Sequence, residues 1–393
     1  MSSQPNVVVI GAGTLGMCTA INLIERGAQV TVIEANSIAS GSSGRSVGVI
    51  GTQFTDKFDI QLRAHTFRHF GAWERDGFKI NRIGYMRLAR TETQMELFEA
   101  SVELQRQAGF SSQLCMPEDI KKIVPHMSLD GLAGAIFGPN DGFIDPYELC
   151  TFLADRVRNR GGVVRQACKL LDAKTNIGGW RLETSKGEIY CDVAVNAAGA
   201  WAPQVARILG QDLHLTPERH EAVSIHLEQP LDYTMPMVMD LVNGEGTGLN
   251  FRHEKARELI AEIHRVKSWL PEDPDRYNDQ CEDESKYELA EMLMERLPEL
   301  PGASLGRGWA GLYPVSADGK PLVGPIDARD LSVITAAGAG GYGIQLAPVI
   351  GQLTADWVLD GSPASLPEAS RLIPTVKRNV PRTQPNQAKE PVQ

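Results

Sequence analysis

Residues 7–35 read VVVIGAGTLGMCTAINLIERGAQVTVIEA. The first four form a short β-branched run with no polar alternation, which predicts a strand buried on both faces of a parallel sheet. Gly11, Gly13 and Gly16 then make GxGxxG, and residues 15–25 carry Leu15, Ala20, Leu23 and Ile24 at helical spacing. In such a strand–turn–helix the first glycine permits the tight turn and the second lets backbone N–H groups approach a pyrophosphate. The third lets helix and strand pack closely. Gly27 ends the helix, and QVTVIE supplies a second strand finishing at Glu34, 23 residues after Gly11. A carboxylate there accepts from the ribose hydroxyls of an adenosine and disfavours a 2′-phosphate. The expectation is an α/β, Rossmann-like unit that binds a dinucleotide through Gly11, Gly13, Thr14, Leu15, Gly16, Glu34 and Ala35. Nicotinamide and flavin dinucleotides share this handle, so the motif alone does not choose between them.

The next stretch, NSIASGSSGRSVGVI at residues 36–50, is a loop of small residues. Small side chains let backbone lie along a ligand that extends past its pyrophosphate, which favours a flavin over a nicotinamide. Ser42, Ser43, Gly44, Arg45 and Ser46 are the expected contacts.

Composition narrows the partners. Within 393 residues, 42% hydrophobic and 22% charged, the chain has a net charge of −10, which argues against a general nucleic-acid surface and for a small-molecule ligand. Six scattered cysteines form no CxxC pair, so neither a zinc site nor a disulfide framework is expected. A reducing, cytoplasmic setting fits them. The opening apolar run ends at Gly11, far short of the roughly 20 residues of a membrane span.

Further along, residues 92–107 are amphipathic, and Asp145 precedes Pro146 as cap and first residue of a helix. HEAVSIHLE, TGLNFRHE and ELIAEIHRV read as strands of an antiparallel sheet, followed by an acidic segment from residue 271 that reads as a solvated helix face. LSVITAAGAGGYGIQLAPVIGQLTADWVL repeats the opening device of strand, glycine loop and helix.

Three separated motifs carry a family resemblance: GAGTLG with Glu34 and GSSGRS; VAVNAAGAWA at 193–202; and GWAGLYPVSADGKPLVGP with AAGAGGYGIQLAP between 308 and 348. The chain resembles the D-amino-acid oxidase and sarcosine oxidase superfamily of FAD enzymes over residues 5 to about 360. It is most similar to the β-subunit types of sarcosine oxidase and (hydroxy)proline dehydrogenase. The Pro-rich, polar composition of the last residues predicts a flexible tail (371–393). The resemblance implies a discontinuous FAD-binding domain (1–85, 145–215, 305–370) and a substrate domain on an antiparallel sheet (86–144, 216–304). It adds Ala198, Gly199, Trp201, Gly340, Gly341, Tyr342, Gly343, Ile344 and Gln345 to the cofactor contacts, with the last loop at the redox ring. It further implies oxidation of a C–N bond in a secondary amine, imino acid or D-amino acid by hydride transfer, giving an imine that hydrolyses. Such chemistry needs an oriented amine and a positive group for any carboxylate rather than a metal or a strong nucleophile. Arg252, His264 and Tyr313 are the candidate catalytic residues.

The departures matter too. Ile50 stands where the monomeric sarcosine oxidases carry a carboxylate-binding arginine. Gly311 replaces the cysteine of their covalent flavin link, so non-covalent FAD is expected. Ile260 and Gln345 fall where they carry an oxygen-activating and a flavin-side lysine. The electron acceptor is therefore either O2 or a partner, and the chain is a candidate flavoprotein subunit of a hetero-oligomeric dehydrogenase. A simple NAD-dependent dehydrogenase would have no use for the second and third motifs.

Overall fold

The expected first strand is Asn6–Ile10, and it lies inside a six-stranded sheet rather than at its edge. Val7, Val8 and Val9 have no solvent exposure, as a strand covered on both faces requires. The sheet runs Leu322–Gly324, Val333–Ala337, Val193–Asn196, Asn6–Ile10, Gln29–Ile33, Val163–Arg165. Neighbours are parallel except for the Leu322–Gly324 edge. Helices Thr14–Glu25, Lys57–Arg75, Pro146–Asn159 and Gly343–Asp360 share one continuous core with it. The computed structural model describes residues 4–241, 247–265, 271–300, 302–375 and 379.

Caps set the helix starts. Asp145 accepts from the backbone N–H groups of Tyr147 and Glu148, with Pro146 at the first helical position, as the sequence indicates. Helices Thr14–Glu25 and Gly343–Asp360 have no cap from the side chain of their own N-cap residue, Gly13 and Tyr342, which leaves N–H groups of the first turn available to whatever lies in front of them.

An eight-stranded sheet forms the second layer, in the order Ala303–Val315, Thr216–Leu227, Glu258–His264, Gly248–Lys255, Met237–Leu241, Tyr85–Ala89, Gly134–Gly138, Gln113–Cys115. It is antiparallel except at one place: Met237–Leu241 pairs in parallel with Tyr85–Ala89. Those strands are separated by a long crossover, the connection that a parallel pair needs and a hairpin cannot supply. Ala303–Val315 is an edge strand of this sheet, so the chain returns to the first layer only after Val315 and not at residue 305. One face buries Met86, Leu88, Val223, Ile225, Val238, Leu249, Phe251, Leu259, Ala261 and Ile263.

The opposite face looks at the first layer and is tied to it at four points. Trp309 Nε1 donates to the Arg45 carbonyl (2.8 Å), Arg252 Nε and Nη2 to the Val47 carbonyl (3.0 and 2.7 Å), and Arg87 Nη1 to the Gln53 carbonyl (2.7 Å). A Cβ on Gly341 would lie 2.5 Å from the Tyr313 ring. Residues 371–375 do not behave as a flexible tail: Leu372 is buried in the first core and Arg371 lies over the Phe58 ring, because Pro367–Leu372 packs as a short 3-10 turn. Residues 376–378 and 380–393 of the expected tail lie outside the described residues.

Candidate functional site

The glycine turn works by close approach. Gly11 has φ +111°, and a Cβ there would sit 2.5 Å from the Ala197 carbonyl oxygen; a Cβ on Gly16 would sit 1.9 Å from the Gly11 carbonyl oxygen. The first condition keeps the turn flat against the neighbouring strand, and the second pulls the helix onto it. Thr14 N–H, the first of the helix, donates to Ser43 Oγ at 3.1 Å, so the small-residue loop rests on the helix start. Glu34, just past Gln29–Ile33, accepts from the N–H groups of Ala12 (Oε2) and Asn36 (Oε1), each at 2.9 Å. These bonds fix the carboxylate in the wall while each oxygen keeps a second lone pair for a ligand hydroxyl.

A cleft of about 390 Å³ opens in front of this turn, within the size range of ligand pockets. The sequence candidates Gly11, Gly13, Thr14, Leu15, Glu34, Ala35, Ser42, Ser43, Ser46, Ala198, Gly199, Trp201, Tyr313, Gly340, Gly341, Gly343 and Ile344 all line it. It therefore joins both uncapped helix starts. Gly16 and Gly44 lie behind the wall, where a Cβ would strike the carbonyls of Gly11 and Ala39. Arg45 turns away, its guanidinium bonded to the Ser40 carbonyl and paired with Asp279 at 3.5 Å. Tyr342 stands partly exposed, its ring edge-on to Phe54 (5.4 Å), and Gln345 is buried with Oε1 unpartnered among the described residues.

Two charged lining residues were not among the candidates. Asp275, from the acidic segment, accepts from Trp201 Nε1 (2.8 Å) and Gln204 Nε2 (3.3 Å), and those hydrogen bonds hold its carboxyl below the usual range. Lys169 is the other.

The three candidate catalytic residues separate. Tyr313 lines the cleft, stacked on His220 at 3.8 Å, and burial lifts its hydroxyl pKa well above the ordinary value, so it remains a neutral phenol. His264 is partly buried on the same face. Burial first, then the neighbouring His220 and Arg87, lowers its pKa to about 4, so it is neutral at pH 7. Arg252 is committed elsewhere: beyond Val47, its Nη1 meets the His253 carbonyl (2.9 Å) and Glu254 (2.5 Å), and its guanidinium stacks over Phe143 at 3.7 Å. It latches the two layers and has no nitrogen free among the described contacts for a carboxylate. Ile50 is fully buried in the two-stranded ribbon Val49–Ile50/Gly142–Phe143.

Arg87 is the cation that sequence reading missed. It lies on the roof face beside Met239, its Nη1–Gln53 bond is its one hydrogen bond among the described residues, and it acts electrostatically on His264. The alternation in YMRLA, with buried Met86 and Leu88 on either side, marks it as facing the other way.

A cleft built on two uncapped helix starts, with a carboxylate at the first strand's neighbour and a polar roof at the far end, defines a dinucleotide-dependent oxidoreductase site. The chain belongs to the DAO family of FAD dependent oxidoreductases, whose sequence pattern it matches over residues 6–357. It is 26% identical over 385 residues to mitochondrial dimethylglycine dehydrogenase of Mus musculus, covering 92% of this chain but only 43% of that protein. With glycine oxidase of Geobacillus kaustophilus (strain HTA426) it shares 24% identity, covering 91% of this chain and 94% of the relative. The crystal structure of L-proline dehydrogenase from P. horikoshii superposes with a TM-score of 0.81 and 26% identity over 92% of this chain and 95% of that one. The residues fit FAD: the cradle at Gly11 and Gly16 has no room for a Cβ, and the cleft continues to the second helix start. Among the described residues no helix is long and apolar enough to cross a membrane, and no cluster of metal-ligating side chains occurs.

Proposed function

We propose that this chain oxidises a carbon–nitrogen bond of an amino acid or N-substituted amino acid to an imine, which water then hydrolyses. FAD, held non-covalently, supplies the hydride acceptor. The observation that carries the reading is the pairing of two uncapped helix starts in one cleft that Tyr313 of the roof lines, with His264 and Arg87 on the same face of the roof sheet. Gly11, Gly13, Thr14 and Ser43 hold the pyrophosphate and Glu34 the ribose. With FAD bound, the amides at Gly343 and Ile344 would stabilise negative charge on the reduced ring. Arg87 takes the substrate carboxylate in place of the arginine missing at Ile50, neutral His264 orients the substrate by hydrogen bonding, and Tyr313 supplies a phenolic donor.

Relatives named as dimethylglycine, sarcosine and proline dehydrogenases and glycine oxidase support the substrate class. A second reading, handover of electrons to a partner acceptor rather than to O2 and work as one subunit of a larger assembly, is favoured by Ile260. That side chain occupies the roof position where a lysine is expected in the oxygen-using relatives.

Anaerobic titration of the purified yellow protein with a panel of secondary amines, imino acids and D-amino acids tests the proposal. At least one must bleach the flavin absorbance. Arg87→Gln is expected to raise the concentration for half-reduction roughly 10- to 100-fold, the worth of a charge-assisted hydrogen bond, while the protein stays yellow. Arg252→Gln should instead lower the urea midpoint of unfolding with little change in that titration. The reverse pattern would return the carboxylate site to Arg252.

A further inference from the structure

Glu262 is an acidic side chain that the reaction outlined above leaves unused. In Glu258–His264 the residues Leu259, Ala261 and Ile263 enter the core, so Glu262 takes the roof face with Ile260 and His264. Cross-strand register places Asn250 beside it on one side, and Ala222 and then Trp309 on the other. Beyond Asn250 the same row continues through Met239 to Arg87. Trp309 points at Arg45 of the first layer, which confirms the direction in which this row faces.

The carboxylate is only half provided for. Asn250 Nδ2 donates to Oε1 at 2.9 Å, and Asn250 Oδ1 has no partner among the described residues. Among those residues no lysine or arginine pairs with Glu262. Arg252, which acts on it electrostatically, is bonded to Val47, His253 and Glu254. His220, its other electrostatic neighbour, is stacked on Tyr313. A carboxyl group withdrawn from water without a cation is costly, and burial raises its pKa accordingly. A cation from outside the chain removes that cost, and Glu262 keeps the partial exposure needed to meet it.

We infer that Glu262, oriented by Asn250, is a specificity-determining residue that receives the positively charged nitrogen end of the substrate, opposite the carboxylate end held by Arg87. The inference rests on the reading of this face as the substrate face. Three strand spacings, roughly 14 Å at the backbone, separate Arg87 from Glu262, so a zwitterion fits between the ends of the two long side chains with one pole toward each. The role is electrostatic, and no proton transfer is assigned to Glu262.

Two isosteric ligands separate charge from shape. Trimethylglycine and 3,3-dimethylbutanoate share size and carboxylate; only the first carries a cationic nitrogen, and that nitrogen has no lone pair for oxidation. Binding to the FAD-loaded protein is read as a perturbation of the flavin spectrum and by calorimetry. The wild type is expected to prefer trimethylglycine about tenfold or more, as a close charge pair in a partly desolvated site allows. Glu262→Gln should bind the two within about twofold while keeping the wild-type Kd for 3,3-dimethylbutanoate, and Glu262→Asp should keep a preference for the charged ligand. Equal binding of the pair by the wild type, or an undiminished ratio in Glu262→Gln, overturns the inference. Should Glu262→Gln fail to fold, the wild-type ratio and its reduction in Asn250→Ala decide instead. Failure of the functional reading itself looks different: no amine bleaches the flavin and neither ligand binds.

Discussion

Gly16 and Glu262 mark the two limits of what a single residue reveals before its fold is known. Gly16 is legible because its constraint is local: three residues after Gly13 and on the first turn of the helix, it can only face the turn it packs on. A Cβ there would lie 1.9 Å from the Gly11 carbonyl oxygen, and backbone cannot yield as a flexible side chain would. Gly16→Ala is therefore expected to destabilise the protein by several kcal/mol, as overpacking of a tight contact does, and to give colourless protein. Retention of bound flavin at wild-type stoichiometry would contradict this account of the turn. Glu34 is legible for the same reason, since strand length fixes its distance from the glycines. Arg87, Arg252 and Glu262 were beyond sequence reading because their roles depend on register between strands distant in the chain. Arg252 looks like a free cation in NFRHE, but the fold brings the Val47 carbonyl to it.

At the scale of elements, the repeated strand–glycine–helix device was readable twice over, and three of the eight roof strands were readable from their alternation. The acidic segment after residue 271 was not. Its charges suggest a solvated helix face, which holds for Asp283–Arg296, yet residues 272–281 form a strap that is pinned to the roof and reaches the cofactor cleft at Asp275. Glu272 N–H donates to the Pro217 carbonyl and Ala310 N–H to that of Asp279, while Arg219 bonds the carbonyls of Asn278 and Gln280. Midway, Asp275 holds Trp201 and Gln204 on the far wall. Composition cannot distinguish a carboxylate in water from one that accepts an indole N–H across a cleft. Asp275→Ala removes this crossing contact and leaves the roof untouched. It should raise the FAD dissociation rate several-fold, followed by recovery of flavin fluorescence on dilution, without altering the first-order rate of anaerobic reduction at saturating substrate. An unchanged dissociation rate would make the strap a passive cover.

The whole molecule depends on how its two layers are joined, and the joint was the least visible part in the sequence because it is assembled from short pieces. The ribbon Val49–Ile50/Gly142–Phe143 and residues 52–54 lead from the cofactor loop to the roof, and Asp141 sits at their meeting point with 1% exposure. Its carboxylate accepts from Thr52 N–H (2.9 Å), Thr52 Oγ1 (3.1 Å) and Gln53 Nε2 (2.8 Å), and its carbonyl accepts from Gly84 N–H at the start of a roof strand (2.8 Å). These bonds favour the ionised form, but burial outweighs them and raises the pKa to about 6 from the ordinary 3.8. The folded state therefore binds this proton more tightly than the unfolded chain does. The linked stability is fully present below about pH 3.8 and is lost as pH rises through about 6. Between pH 5 and pH 7.5 the loss comes to roughly 1–1.5 kcal/mol from this group. Asp141→Asn cannot titrate, so its stability relative to the wild type should improve by that amount over the same interval, whatever fixed cost the altered hydrogen bonds impose. Urea midpoints of both proteins, measured at saturating FAD so that cofactor linkage is constant, give the difference curve. A curve flat from pH 5 to pH 7.5 would mean that Asp141 is ionised throughout and that its hydrogen bonds, not its burial, set the balance at the joint.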